Sequence, residues 1–161
     1  MKKKILIIVL AFFAVSIIAA GFLPSDTEEP AEPSAPVWES NYEDGSDKQA
    51  IEQEAFSFIS SNFSDTTVTG ITVNDDLGTN VDGDYILLVY ADYTKDTDEK
   101  SARKTMEGYS KDLADDMNDQ FGTVMESVVF WTADNAGISG KCQLVKSGET
   151  MKKGDIVWLG K

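Results

Sequence analysis

The segment between positions 74 and 84, NDDLGTNVDGD, contains the side chains best suited to hold a metal ion. Calcium binds about six to eight oxygen ligands, and the acids and amides here could supply several of them. An EF-hand loop needs an aspartate at position one and a glutamate at position twelve. Aligning Asn80 and Asp82 with positions three and five places Gly78 and Val89 there instead. Asn, Asp and Gly are also typical of hairpin turns, so we predict no bound metal or cofactor and keep a calcium-dependent binding loop as an alternative. The candidate ligands are Asp75, Asp76, Asn80, Asp82 and Asp84.

A second acidic group lies in the segment KDLADDMNDQF, where four aspartates recur at helical spacing. Residues three or four positions apart are neighbours on a helix surface, so these carboxylates could form a patch for a cation or a basic partner. The apolar residues Met106, Leu113 and Met117 fall on the opposite side of the same helix. The spacing therefore indicates a face exposed to water, where acidic residues are expected. The four aspartates are Asp112, Asp115, Asp116 and Asp119.

The chain contains one cysteine, Cys142, and no histidine. A catalytic thiol needs a neighbouring base to form its thiolate, and the Ser-His-Asp and Cys-His arrangements both need histidine. The usual zinc sites and the glycine-rich phosphate loops are also missing from the sequence. We therefore predict that the protein is not an enzyme and that Cys142 is a small buried residue of a strand.

Carboxylate catalysis of the glycosidase type is compatible with this composition. It needs two carboxyl groups on either side of a cleft, and acidic residues are abundant. A single small domain with its helices on one sheet face leaves little room for such a cleft. A small carboxylate-dependent hydrolase acting on a cell-surface polymer is therefore an alternative, not the main hypothesis.

The net charge is −14, from 14 basic and 28 acidic residues. Nucleic acid and anionic lipid headgroups would repel such a chain, so nucleic-acid binding is not expected. The last 21 residues differ, with five lysines against Glu149 and Asp155. This basic hairpin could orient the protein toward an anionic partner, but lysines that protect an edge strand explain it more simply.

The first 23 residues are typical of an export segment. Lys2, Lys3 and Lys4 precede Ile5–Leu23, a run with no charged residue. A secretory signal has about 7–15 apolar residues and a membrane-spanning helix about 17–25, and this run lies between them. We expect either cleavage near Gly21, giving a secreted protein, or retention as a single-pass membrane anchor. In both cases the rest of the chain lies outside the cell membrane.

Residues 24–46 have the composition of a disordered linker. All four prolines of the chain, Pro24, Pro30, Pro33 and Pro36, fall in this segment among acidic residues, which favours an extended chain. Val37, Trp38 and Tyr42 are unusual in such a segment, and we expect them to dock onto the domain that follows.

Residues 47–161 read as a single domain. Ser46 and Gln49 match a capping box before a helix, and a second helix begins at Asp96, Thr97 or Asp98 and runs to about Phe121. Gly108 within it indicates a close contact with the sheet. We expect five strands: Thr66–Val73, Asp84–Thr94, Val124–Thr132, Lys141–Lys146 and Asp155–Leu159, with bends at Ser147-Gly148 and Lys153-Gly154.

This order predicts an α+β fold with one antiparallel sheet of about four to five strands and two helices on one face. The strand Asp84–Thr94 is apolar on both sides, which predicts a central, covered strand. We hypothesise an exported extracytoplasmic domain, tethered to the membrane, that acts as a non-catalytic binding module for a protein or cell-surface partner.

Overall fold

The computed structural model describes residues 38–160, which form two helices and one five-stranded sheet. In chain order these are α1 (Asp47–Asn62), β1 (Thr66–Asp75), β2 (Tyr85–Tyr93), α2 (Glu99–Phe121), β3 (Val124–Ala133), β4 (Ile138–Ser147) and β5 (Thr150–Gly160). A 3-10 turn, Asp134–Ala136, connects β3 to β4. The predicted α+β class, with two helices and up to five strands, is confirmed.

Helix α1 begins with the predicted cap. The Ser46 side chain accepts a hydrogen bond from the Gln49 backbone N–H at 3.2 Å. The Gln49 side chain reaches back as expected, but it accepts its bond from the Gly45 N–H, at 2.6 Å, and not from Ser46. The Ser46 bond satisfies an amide group that the first turn of a helix leaves without a partner, and the Gln49 bond fixes the residue just before the cap.

Helix α2 also follows its sequence signals closely. Asp98 is its N-cap and accepts a bond from the Ser101 N–H at 2.8 Å, and Gly122 ends the helix in the left-handed conformation at φ 67°. The predicted inner face, which includes Met106 and Met117, is buried. The expected contact at Gly108 is wrong, because Gly108 is exposed and a Cβ there would meet no atom within 4 Å.

The sheet has the strand order β1-β2-β3-β4-β5, so strands adjacent in sequence are also adjacent in space. Three of the four pairs are antiparallel, whereas β2 and β3 are parallel. The prediction of an entirely antiparallel sheet is therefore wrong at one pair. The reason is α2, a 23-residue helix that spans about 35 Å and carries the chain back to the starting end of β2 before β3 begins.

The core lies between the helices and one face of the sheet. Its members alternate along the strands, as Leu87, Val89 and Ala91 do in β2, and the helices add residues such as Ile51 and Met106. Both helices therefore lie on the same face of the sheet, as predicted.

The last two strands are longer than the sequence indicated. β4 begins at Ile138 and β5 continues from Thr150 to Gly160, so the Lys153-Gly154 position lies within β5. The bend predicted at Lys153-Gly154 is wrong, and the strand pair has a shift of register at this point, opposite Gln143. The Gln143 Oε1 accepts a hydrogen bond from the Asp155 N–H at 2.9 Å. The turn between the strands contains Gly148, at φ 67°.

The segment just before α1 packs onto the domain, which confirms the expectation for Trp38 and Tyr42. The Trp38 ring lies 5.2 Å from that of Phe56 on α1, and the Tyr42 hydroxyl bonds the backbone of Val73 on β1. The export segment 1–23 and most of the linker lie outside the described residues. None of the helices formed by residues 38–160 has the length and apolar character needed to span a membrane.

Candidate functional site: the open sheet face

The side of the sheet opposite the helices carries the most distinctive surface of the domain. The strand registers arrange its side chains in rows that cross the sheet. One row crosses all five strands and consists of Gly70, Tyr90, Phe130, Lys141 and Val157. We call this side the open sheet face, because no helix or strand of residues 38–160 packs over it.

An aromatic pair lies at the centre of that row. The rings of Tyr90 and Phe130 are 4.8 Å apart and inclined by only 11°, so they stack across the parallel pair β2–β3. Tyr90 also covers Gly70 of β1, where an added Cβ would lie 3.3 Å from the Tyr90 ring. A glycine in a strand often marks such a close approach, and here it leaves room for the ring.

The open sheet face is unusually apolar for a surface in contact with water. Beyond the aromatic pair it carries the half-buried Ile86 and Leu88 from β2 and the buried Val128 from β3. The described domain has six large apolar side chains that are exposed, and four of them lie on this face. They are Tyr90, Val145, Val157 and Leu159, at 43%, 38%, 45% and 62% exposure.

The charge of this face contrasts with that of the domain. Residues 47–161 carry 11 basic and 21 acidic side chains, a net charge of −10. The outward positions include three acids, Asp92, Glu126 and Asp155, and two lysines, Lys141 and Lys152. The open sheet face therefore has a net charge of about −1, while most of the excess acid lies elsewhere.

A depression of about 380 Å³ lies at the β5 end of the open sheet face. Its lining includes Phe130, Ser139, Val157 and Leu159, together with the stem of Lys141. The Lys141 ammonium makes no ion pair or hydrogen bond with another residue in the part of the chain that the structure describes. The depression thus combines apolar walls with one free positive charge.

In the acidic loop between β1 and β2, four of the five candidate ligands, Asp75, Asp76, Asn80 and Asp82, line one depression, but the carboxylates among them do not form a metal-binding group. Asp75 forms an ion pair with Lys48 at 2.9 Å, and the Asp76 carboxylate accepts a bond from the Gly78 N–H at 2.8 Å within the turn. Asn80 has a positive φ of 55°, as expected in a tight turn. In the range 38–160, no three acidic or cysteine side chains are placed to share a metal ion. Asp82 and Asp84 therefore belong to no such group either.

The four aspartates of α2 only partly match the predicted solvated face. Asp112 and Asp119 are exposed, and Asp115 pairs with Lys111 on the same helix. Asp116 is half-buried, and burial raises its pKa, with a further rise from the nearby Asp119. These residues belong to the solvent side of the helix layer, away from the open sheet face.

Cys142 lies in the core, as predicted. It is fully buried on β4, and burial raises the pKa of its thiol to about 11. Such a thiol is almost entirely protonated at neutral pH, so it is a poor nucleophile. Nearby, the Ser110 hydroxyl accepts a bond from the Trp131 indole N–H at 2.8 Å and donates one to the Met106 carbonyl.

One buried acid was missed by the sequence reasoning. Glu52 on α1 is fully buried, and its Oε2 accepts a bond from the Ser40 hydroxyl, whereas its Oε1 has no hydrogen-bond partner among the described residues. The available signal was the spacing of Glu52, Phe56 and Ile59 on one helix face. This acid therefore lies beneath the segment that leads into α1.

The open sheet face was also missed, although the sequence contained its signal. The apolar residues on both sides of β2 predicted a central, covered strand. β2 is an interior strand of the sheet, as predicted, but no element of residues 38–160 covers its outer side, where Tyr90 is exposed. The same residues are instead the centre of the candidate site. Searches with this chain find no matching family model, curated protein or solved structure, so the assignment of the site rests on its geometry.

Proposed function

We propose that the protein is an exported, membrane-tethered binding module whose open sheet face is the binding surface and which has no catalytic activity. The observation that carries this proposal is the stacked pair of Tyr90 and Phe130 at the centre of an uncovered apolar sheet face. Soluble monomers rarely expose contiguous apolar patches of more than a few hundred Å², and such patches mark interaction sites.

The charge distribution supports a role in binding. An acidic domain repels other acidic surfaces, and the low net charge of the open sheet face reduces that repulsion where contact would occur. Interfaces are also depleted of charge at their centre and enriched in aromatic residues, as this face is. The rim residues Asp92 and Lys152 would then surround an apolar centre.

The location of the protein is inferred from composition. Three lysines followed by the apolar run Ile5–Leu23 favour export, and the proline-rich acidic segment after it favours an extended spacer. A domain held outside the membrane on such a spacer has access to partners at the cell surface.

Oxidative footprinting tests the binding surface without knowledge of the partner. Hydroxyl radicals would be applied to intact producing cells and to the purified protein, and labelling of each side chain compared by mass spectrometry. We expect Tyr90 and Leu159 to be protected in cells, whereas Leu77 and Val81, which are exposed in the loop between β1 and β2, serve as internal references. Equal labelling of Tyr90 and Leu159 in both samples would contradict the proposal.

The location has its own test. Added protease should digest the domain on intact cells whose cytoplasmic proteins stay intact, and the protein should pellet with membranes at its full mass. Loss of about 21 residues with release into the medium would show secretion, and full protection from protease would contradict export.

Calcium binding by the acidic loop is the alternative that is simplest to test. A ligand that binds only the folded state raises the melting temperature by mass action. We expect no difference between millimolar calcium and chelator. A rise of several degrees in the melting temperature that is abolished by Asp82→Asn would establish calcium binding by this loop and would contradict the prediction of no bound metal.

A further inference from the structure

We propose that the depression at the β5 end of the open sheet face binds a single-chain acyl carboxylate, with the tail on its apolar walls and the carboxylate on Lys141. This inference rests on the proposed function and names a ligand class for one end of the binding surface.

The walls of the depression favour an apolar group. Phe130 forms one side, and Val157 and Leu159 form the other, with nearly half or more of each of these two side chains exposed. Covering apolar surface is favourable by roughly 25 cal/mol per Å², so a flexible hydrocarbon tail gains free energy by lying here. Small-molecule sites typically combine such walls with very few polar groups.

Lys141 supplies the polar group. Most described lysines are engaged: Lys48, Lys95, Lys111 and Lys153 form ion pairs with acids, and Lys146 bonds the Gly122 carbonyl. Lys141 has no such partner, although the domain has a large excess of acid. The ammonium of a half-buried lysine beside apolar walls is complementary to a carboxylate attached to a hydrocarbon, and a charge-assisted hydrogen bond would join them.

Size and charge favour one chain over a bilayer lipid. The volume of about 380 Å³ is near the lower limit of the ~300–1,000 Å³ typical of ligand sites, which suits one short chain and not two. An anionic bilayer would also meet the repulsion of a protein with a net charge of −14. A free acyl carboxylate carries one charge, which Lys141 can match.

The test uses decanoate as the probe, with decyltrimethylammonium as a ligand of equal tail and opposite charge. Both are titrated into the full chain by calorimetry below the concentration at which they form micelles. An acidic protein would attract the cation preferentially if binding were non-specific. We expect decanoate to bind with one site per chain and at least tenfold more tightly than the cation.

Variants then locate the site. Lys141→Gln should weaken decanoate binding about tenfold, whereas Lys152→Gln, the same charge change on the same face but outside the depression, should alter it less than twofold. The double change Val157→Ser and Leu159→Ser should weaken binding at least tenfold. Circular dichroism of each variant verifies the fold, which these exposed or half-exposed positions are not expected to disturb.

Three outcomes would overturn the inference. These are no decanoate binding, equal binding of the two surfactants, or equal effects of the two lysine changes. Binding to phosphatidylglycerol vesicles without binding to decanoate would also contradict it and would identify a membrane surface as the ligand. Because footprinting in cells does not depend on decanoate, the broader proposal of a binding face can stand when this one fails.

Discussion

The Tyr42 hydroxyl donates a hydrogen bond to the Val73 carbonyl oxygen at 3.0 Å and accepts one from the Val73 N–H at 2.7 Å. Val73 lies on β1, an edge strand, so its backbone groups would otherwise face outward without a strand partner. Exposed edge groups are a template for pairing with another chain, and proteins commonly cover them. One side chain from the segment before α1 therefore both anchors that segment and protects the edge of the sheet.

Replacement of Tyr42 by Phe should destabilise the domain by about 1–3 kcal/mol, because two backbone groups lose their partner in a half-buried position. Urea unfolding followed by circular dichroism measures the change. Tyr90→Phe is the matched control, since no hydrogen bond is formed by the Tyr90 hydroxyl with other residues of the described domain, and it should change stability by less than about 0.5 kcal/mol. Equal effects of the two changes would show that the Tyr42 bonds contribute nothing.

Replacement of Ser40 by Ala should cost about 1.5–3 kcal/mol, because it removes the hydrogen bond to the buried Glu52 carboxylate and the bond that the Ser40 hydroxyl accepts from the Tyr42 N–H at 3.2 Å. The same unfolding experiment applies. Ser57→Ala, at an exposed position of α1, is the control and should remain within about 0.5 kcal/mol of the original protein. If Ser40→Ala were as mild as the control, Glu52 would not depend on this bond.

The Tyr90–Phe130 stack should be measurable by a double-mutant cycle. Changing each residue to Ala, singly and together, should give a coupling free energy of about 0.5–1.5 kcal/mol, as found for aromatic pairs in contact. Tyr90→Ala with Phe58→Ala is the control cycle, because Phe58 lies in the helix layer, and those effects should add within about 0.5 kcal/mol. If the free-energy changes were additive in both cycles, the Tyr90–Phe130 stack would contribute nothing to stability.

Stability should fall as the pH rises from about 10 to 12 because of Tyr93. Burial raises the pKa of Tyr93 to about 12, and its hydrogen bond to Asp96, at 2.5 Å, adds to the rise. Between the ordinary pKa of 10.0 and this value, the folded protein holds the phenolic proton and the unfolded chain releases it. The stabilising effect is therefore complete below pH 10 and is lost above it.

Unfolding by urea at a series of pH values measures this loss. The difference in stability between the original protein and Tyr93→Phe should be constant below pH 10 and should shrink toward pH 12. A difference that stayed constant across this range would show that Tyr93 titrates normally. Absorbance at 295 nm provides a second measurement, since Tyr93→Phe should remove a phenolate signal that develops near pH 12.

Local signals in the sequence determined most of the secondary structure. Ser46 and Asp98 start the two helices because a side-chain oxygen next to the first turn satisfies its free amides, and that interaction involves only neighbours in the chain. The burial of Cys142 and of the inner face of α2 also follows from residue type and periodicity. These features need no knowledge of distant contacts.

The tertiary structure decided the pairing of β2 with β3. Whether two strands are parallel depends on where the connecting chain ends, and the length and packing of α2 return it to the end at which β2 began. Glu52 is a second case, because an acid on a helix face becomes buried only when another segment covers it, here the one containing Ser40.

The open sheet face shows most clearly what the sequence determines and what only the tertiary structure decides. The apolar residues of β2 on both sides are visible in the sequence, but alternation along a strand cannot say which side receives a covering layer. Both helices pack on the side of Leu87 and Val89, because their apolar faces share one core there, and Tyr90 and Phe130 are left on the other side. Sequence thus determined which residues are apolar, and only the packing of the helices decided which of them remain on the uncovered face of the sheet.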